Sequence, residues 1–469
     1  MIDVAKLEEA IHSNLPYTAN HQQLQLIGIL SRFCILPEYQ DKIFILNGYA
    51  GTGKTSLTSA LVNSLESFGV KCVLLAPTGR AAKVFGSFSR HKAYTIHRFI
   101  YRFDPLSGQF GSIKENRAKA GTVFLVDEAS MIDTADNESK AMNLLDDLLQ
   151  FVYTGNNCRL IFLGDTAQLP PVGNESASSL HKALRDRHFH VLRAVLTSTV
   201  RQAADSGILY NATWLRKSME KEHIPLPKIF AEQFEDVQII SGEELPDLLQ
   251  RAYSIYGKEQ SIIITRANKR AVDYNMAVRN IILEYTSLIS KGDILMIAKN
   301  NYFWSAKVKG LEFIANGDMA VVEKIYGEET LGEFRFADVE LSFPDHDDIR
   351  IEAKINLSSL LSDSPALSNA EMRALSMACL ESMGAFSAGT QVNAAAMLRN
   401  DPLYNALQVK YGYAITCHKA QGGQWNAVFL DIGFVPEDID RHEFYRWLYT
   451  AVTRASKELY IINPQILVE

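Results

Sequence analysis

Cysteine is scarce and scattered in this 469-residue chain: Cys34, Cys72, Cys158, Cys379 and Cys417 form no CxxC pair and no Cys/His cluster with metal-ligand spacing. That excludes a disulfide framework or a zinc module, and the thiols read as reduced and mostly buried. Apolar runs of the roughly eighteen residues needed to cross a bilayer are absent. The opening MIDVAKLEEAIHS alternates charged and apolar residues without the apolar stretch of a secretory leader. A cytoplasmic protein with no membrane partner is the expectation. Excess positive charge is missing too: the formal net charge is −7, which excludes coating of nucleic acid through a general basic field. A strand held in one local groove remains compatible with an acidic exterior.

What is present is the composition of an ordinary folding chain, 47% hydrophobic and 22% charged. Its length exceeds what one core organises, so two or more domains are expected. The amphipathic stretch Gln22 to Ile35 leads to the apolar run Ile43–Leu46, a Gly-rich turn and a helical pattern from Thr55 to Phe68. Strand-like runs Cys72–Ala76, Val123–Val126 and Leu160–Leu163 come next, separated by helical stretches, which predicts an α/β fold with a parallel, doubly wound sheet. Residues 98–122 break this texture with an aromatic and basic insert suited to a small hairpin. A second α/β texture begins at Ser261–Thr265 and resumes at Tyr413–Thr416, Val428–Ile432 and Leu459–Ile462. Between them, strand-like Ile294–Ile297 and Met319–Ile325, with Asn-Gly and Gly-Glu-Glu turns, predict an inserted β-barrel, and residues 362–400 have helical spacing.

The segment Gly48-Tyr-Ala50-Gly51-Thr52-Gly53-Lys54-Thr55 fits G-x-x-x-x-G-K-[ST] and lies between a strand and a helix, the context that pattern requires. Glycines let successive N–H groups turn toward phosphates, Lys54 supplies positive charge, and the Thr55 hydroxyl suits Mg²⁺. The bland alternative is a Gly-rich turn with an exposed lysine. Asp127 and Glu128 come directly after a buried-type strand, at the edge where open α/β sheets bind ligands. Asp127 suits Mg²⁺ through its water shell, and Glu128 suits orienting and deprotonating an attacking water. Gln168, in the loop after the third apolar strand, is a neutral group able to bond a γ-phosphate oxygen or that water, and Pro170 and Pro171 stiffen the loop beyond it.

These residues resemble superfamily 1 helicases of the RecD/Dda-like branch, superfamily 1B. The blocks are GYAGTGKT (48–55), APTGRAAKVF (76–85), TIHRF (95–99), VFLVDEASM (123–131), LGDTAQLPPV (163–172), LTSTVRQ (196–202), YAITCHKAQGGQW (413–425) and WLYTAVTRA (447–455), in that family's order. The resemblance implies two RecA-like P-loop domains with ATP between them: residues 1–200, carrying the insert at 98–122, and residues 201–290 with 405–469. An SH3-like β-barrel and helical subdomain at 291–404 interrupts the second. It also implies that Arg201 and Arg454 reach the γ-phosphate from the second domain, and that Gly422 touches nucleotide. Several relatives carry glutamate where Gln424 stands, which puts ribose contact there in doubt. Adenine recognition falls to Gln22 or Gln23; Gln23 is favoured, against a pure capping role with Asn20.

In that family, Pro77, Thr78, Thr95, His97, Thr416, His418 and Lys419 occupy positions lining a strand groove across both domains. Hydroxyl and backbone donors hold a strand without reading its bases. Singly, each has a bland reading as a cap or structural residue. Phe99, with Arg98, Tyr101, Arg102 and Phe103, offers a stacking or strand-splitting surface, or else seats the insert. The implied function is an ATP- and Mg²⁺-dependent DNA helicase, monomeric, moving 5′→3′ on single-stranded and tailed duplex DNA in repair and recombination. The rivals are a nucleic-acid-stimulated ATPase that remodels a partner and an RNA-directed helicase. A small-molecule P-loop kinase explains neither Arg454 nor the TCHKAQG block.

Overall fold

The computed structural model describes residues 2–104, 109–133, 143–170, 179–198, 205–306, 308, 311, 314–346, 348–360, 362, 364–384, 394–436, 438–464 and 466–468. The first body is a parallel sheet of six strands in the order Ala93–Thr95, Cys72–Ala76, Val123–Val126, Arg159–Gly164, Lys42–Gly48, His190–Leu196. Alternate residues feed two cores. Phe44, Leu46, Leu125, Ile161 and Leu163 face one helical layer, while Ile43, Ile45, Phe124, Val126 and Phe162 face the other. Burial on both faces is what continuous apolar strands require. On the first face lies the helix His21–Ile35, started by an Asn20/Gln23 capping box and burying Leu26, Ile27, Leu30 and Phe33. The insert forms the expected hairpin, Tyr101–Asp104 paired with Gln109–Ile113.

A second parallel sheet has the order Val237–Ile240, Ala455–Ile462, Trp425–Asp431, Ser261–Thr265, Ala414–Thr416. Together the two sheets make a pair of RecA-like bodies. The inserted barrel is closed by five strands, Ile294–Ile297, Met319–Leu331, Phe334–Phe343, Ile349–Asn356 and Leu407–Tyr411. Two expectations need correcting here. The barrel's last strand extends to Tyr411, so the expected boundary at 404/405 moves past it, because Leu407–Tyr411 pairs with the barrel's first strand. Gly327-Glu-Glu is not a turn but lies inside the long second strand, where the register slips between Ile325 and Gly327. A flexible glycine there serves a bulge, and the chain reverses instead at Gly332, with φ +57°. The helix Asn369–Ser382 packs on the barrel through Leu375 and Cys379 against Phe334 and Phe336.

Candidate functional site

The phosphate cradle follows from its glycines. Gly51 and Gly53 adopt φ of +73° and +77°, open to glycine without strain. A Cβ at Gly53 would lie 2.0 Å from the Tyr17 hydroxyl, so the loop's exit admits no side chain. Thr52 closes the turn, its hydroxyl donating to the Tyr49 carbonyl at 2.7 Å. Lys54 opens the helix Lys54–Ser67, whose N-terminal N–H groups attract anions, and its ammonium rests on the Gly164 carbonyl at 3.0 Å.

The four residues Val123–Val126 are fully buried, and the sheet delivers Asp127 and Glu128 to the same edge. Glu128 has φ +49°, a left-handed conformation uncommon for a residue with a side chain, and its N–H donates to Asp127 Oδ1 at 2.9 Å. Glu128 Oε2 and Gln168 Oε1 are buried with no hydrogen-bond partner. Two acceptors left so in a cleft fit a site built for a donor such as a water molecule. Burial raises the Asp127 carboxyl above its ordinary range, Lys54 pulls it back, Glu128 pushes it up, and Arg454 again lowers it. Arg454 therefore acts electrostatically on the first body's carboxylate from the second body.

Arg454 is only 4% exposed, and its guanidinium donates to the carbonyls of Thr450 at 3.0 Å and Gly423 at 3.1 Å and to the Thr453 hydroxyl at 3.2 Å. No carboxylate among the described residues pairs with it. A buried guanidinium without a counter-ion is costly unless an anion arrives, which is what a γ-phosphate supplies. Arg201 lies outside the described residues.

Side chains of the second body clasp the loop after Arg159–Gly164. The Tyr449 hydroxyl donates to Asp165 Oδ2 at 2.6 Å and accepts from the Ala50 N–H of the cradle at 2.9 Å. The Leu169 N–H donates to the Thr450 hydroxyl at 2.9 Å, and Gln421 Nε2 donates to the Leu169 carbonyl at 2.7 Å. Ala167 and Leu169 even belong to the second body's hydrophobic core. Sequence reasoning missed Tyr449, Thr450 and Gln421. The signal available was a polar pair, Tyr449-Thr450, inside an otherwise apolar helical block.

Three expected site residues have close partners within the chain. Gln23 is fully buried, its Oε1 accepts from Asn20 N–H at 3.0 Å, and its Nε2 donates to the Thr52 carbonyl at 3.0 Å and the Tyr17 hydroxyl at 3.2 Å. Its amide caps the helix and braces the cradle, which places Gln23 against the phosphate loop. Gln22 is likewise engaged, with Thr197 and Ser198. Gly422 sits with φ +72° where a Cβ would come 2.9 Å from Ala81 Cβ and 3.4 Å from the Thr78 hydroxyl. It thus adjoins Thr78 and Ala81 of the first body. Phe99 packs edge-on against Phe124 and Phe151, centroids 6.0 and 5.8 Å away, so it seats the insert on the core.

The expected groove residues gather at strand ends. Thr78 and Thr95 cap the helices Gly79–Ser89 and Ile96–Ile100, accepting from Ala81 and Arg98 N–H, and Ala76 pairs with Thr95 in the sheet. Pro77 joins that strand end to Thr78. Thr416 begins the helix Cys417–Ala420 without a side-chain cap bond. Burial lowers the titration of His97, His418 and Lys419. Across the cleft the Arg80 guanidinium lies 3.8 Å over the Trp425 ring, another contact sequence reasoning missed.

Residues 35–226 match the AAA domain family and residues 411–462 the UvrD-like helicase C-terminal domain family. An uncharacterized protein of Methanocaldococcus jannaschii is 24% identical over 91% of this chain and 37% of its own length. The ATP-dependent RecD2 DNA helicase of Deinococcus radiodurans is 34% identical over 28% of this chain and 16% of its own. The chain thus spans well under half the length of either relative. A solved Pif1 helicase from Bacteroides, in complex with ADP-AlF3 and ssDNA, aligns over 96% of this chain and 93% of that one, with 16% identity and a TM-score of 0.48. With the motif blocks in family order, the chain carries an AAA domain over residues 35–226 and a UvrD-like helicase C-terminal domain over residues 411–462, and it is similar to RecD- and Dda-like DNA helicases.

Proposed function

We propose that this chain moves along single-stranded DNA in the 5′→3′ direction, using ATP hydrolysis to separate a tailed duplex. The observation that carries the reading is the unpaired, buried Arg454 of one RecA-like body, set within electrostatic reach of Asp127 in the other. A guanidinium delivered across a cleft ties hydrolysis to closure of that cleft.

The cradle N–H groups and Lys54 hold the β- and γ-phosphates, and Gln168 meets the terminal phosphate or the attacking water. Glu128 Oε2, otherwise unpartnered, orients that water and accepts its proton. The donor set fits magnesium: a hydroxyl and a carboxylate are hard oxygen ligands, as befits an ion held chiefly by phosphates and water. Thr55 and Asp127 would hold it, and it would neutralise charge on the phosphates. Release of the γ-phosphate frees Arg454 and the Gln168 loop. Through Leu169 and Gln421, which precedes Gly422 beside Thr78, the loop's movement reaches the strand-holding residues of both bodies. Location in the cytoplasm and action as a monomer are part of the same proposal.

Unwinding of duplexes with either a 5′ or a 3′ tail, in DNA and in RNA, tests it. ATP-dependent displacement from the 5′-tailed DNA is expected. Displacement only from a 3′ tail refutes the polarity, and strand-stimulated hydrolysis with no displacement favours a remodelling ATPase instead.

A further inference from the structure

One aromatic side chain at the second body's ligand edge has no part in the hydrolytic site. Thr265, at the end of its strand, pairs in register with Thr416 on one side and Asp431 on the other, so three strands end side by side. Carboxyl ends of parallel strands are where open α/β sheets bind ligands. Beyond Asp431 the chain buries Ile432, then turns at Gly433, with φ +66° and its N–H donating to Asp431 Oδ1 at 2.9 Å. The turn leaves Phe434 73% exposed, more than any other large hydrophobic residue among those described.

Scattered exposed apolar residues are ordinary on protein surfaces. Phe434 differs because its backbone is pinned by a cation. Arg266, directly after Thr265, donates through Nη1 to the Phe434 carbonyl at 2.9 Å. The same guanidinium lies 5.6 Å from the Phe444 ring and 6.0 Å from the Trp447 ring, and the Trp447 carbonyl accepts from the Cys417 thiol beside His418. No carboxylate among the described residues pairs with Arg266. A fixed, solvent-facing ring flanked by an uncompensated cation, next to Thr416, His418 and Lys419, has the elements of a stacking platform in an electrostatic groove.

We propose that Phe434 stacks on a base of the bound single strand as it leaves the groove over the second body, with Arg266 as the residue that positions it and attracts the adjoining phosphate. This rests on the strand-translocation reading. Stacking needs only the π-face of a base, so the contact is blind to sequence, as a moving enzyme requires.

The experiment measures binding of a fluorescent oligothymidylate, and of an abasic strand of equal length, to the full chain and to F434A and F434W. Loss of one stack should weaken F434A for oligothymidylate about tenfold. The abasic strand should bind both proteins alike. F434W should gain a tryptophan signal that oligothymidylate quenches and the abasic strand does not. Thermal midpoints equal to wild type confirm that an exposed ring was removed without unfolding. If wild type binds the strand and F434A binds it equally well, the platform is refuted while translocation stands. If wild type binds no strand, both readings fall.

Discussion

Replacing Tyr449 by phenylalanine should separate nucleotide binding from motion. The substitution removes one hydroxyl and leaves the ring in the second body's core, where the side chain is 1% exposed. Two bonds between bodies vanish. One is the 2.6 Å donation to the Asp165 carboxylate, and the other is the 2.9 Å acceptance from the Ala50 N–H. A hydrogen bond to a charged group contributes about 1.5–3 kcal/mol and a neutral one about 1 kcal/mol. Asp165, 3% exposed, keeps the Ala167 N–H at 2.9 Å but loses its closest donor. The joined state should therefore be weakened by about 3 kcal/mol, roughly a hundredfold in the ratio of closed to open cleft. A donor–acceptor dye pair at exposed Glu9 and Lys457 reads that ratio directly. Y449F should be more open without nucleotide, should still bind ATP through its intact cradle, and should spend more ATP per base pair unwound. A variant as closed and as tightly coupled as wild type would refute the view that this hydroxyl joins the two bodies.

Arg454→Lys keeps the charge but loses the planar fork, and kcat should fall about a thousandfold while KM for ATP moves far less; an unchanged kcat sinks the assignment. Arg80→Ala removes a cation–π contact with a buried tryptophan worth about 1–2 kcal/mol, so strand affinity should drop about tenfold. Equal affinities would mean the stack does not join the bodies. Because burial holds the Asp127 carboxyl above its ordinary range in the nucleotide-free chain, the folded form binds its proton more tightly than the unfolded one, and this group makes the fold less stable as pH rises through the window between their pKa values. A D127N variant should therefore lose activity yet melt no earlier than wild type at neutral pH, and an earlier melt would show that the carboxylate is stabilising.

What was legible in the sequence was what local chemistry dictates. Gly51, Gly53 and Lys54 must stand at fixed spacing because one turn of backbone has to face phosphates, so the cradle can be read from eight residues. Asp127 was legible because a four-residue apolar run can end only at the edge of a buried strand. The barrel was legible as a class, but Gly327 misled, since a glycine that makes a turn and one that relaxes a bulge look alike until the partner strand is known. Gln23 was only half legible for a related reason. A buried amide serves whichever partners surround it, and the Thr52 carbonyl that it braces lies far along the chain from the capping box.

The contacts that join the bodies were the least legible. Asp165 and Tyr449 are 284 residues apart, and Leu169 and Thr450 are 281. Nothing in the neighbourhood of either residue announces the other. Yet these pairs decide whether the cradle and Arg454 form one site or two halves. A cradle alone binds nucleotide with no consequence for a distant strand, because a ligand shifts only those equilibria in which it favours one state. Arg454 alone is a buried charge awaiting an anion. Joined through the loop that carries Leu169, whose carbonyl is held by the residue next to Gly422, the proposed γ-phosphate and strand sites would respond to one closure. The coupling is then bounded by the few hydrogen bonds that must break for the cleft to open, and that is why a single hydroxyl at Tyr449 should be enough to loosen it.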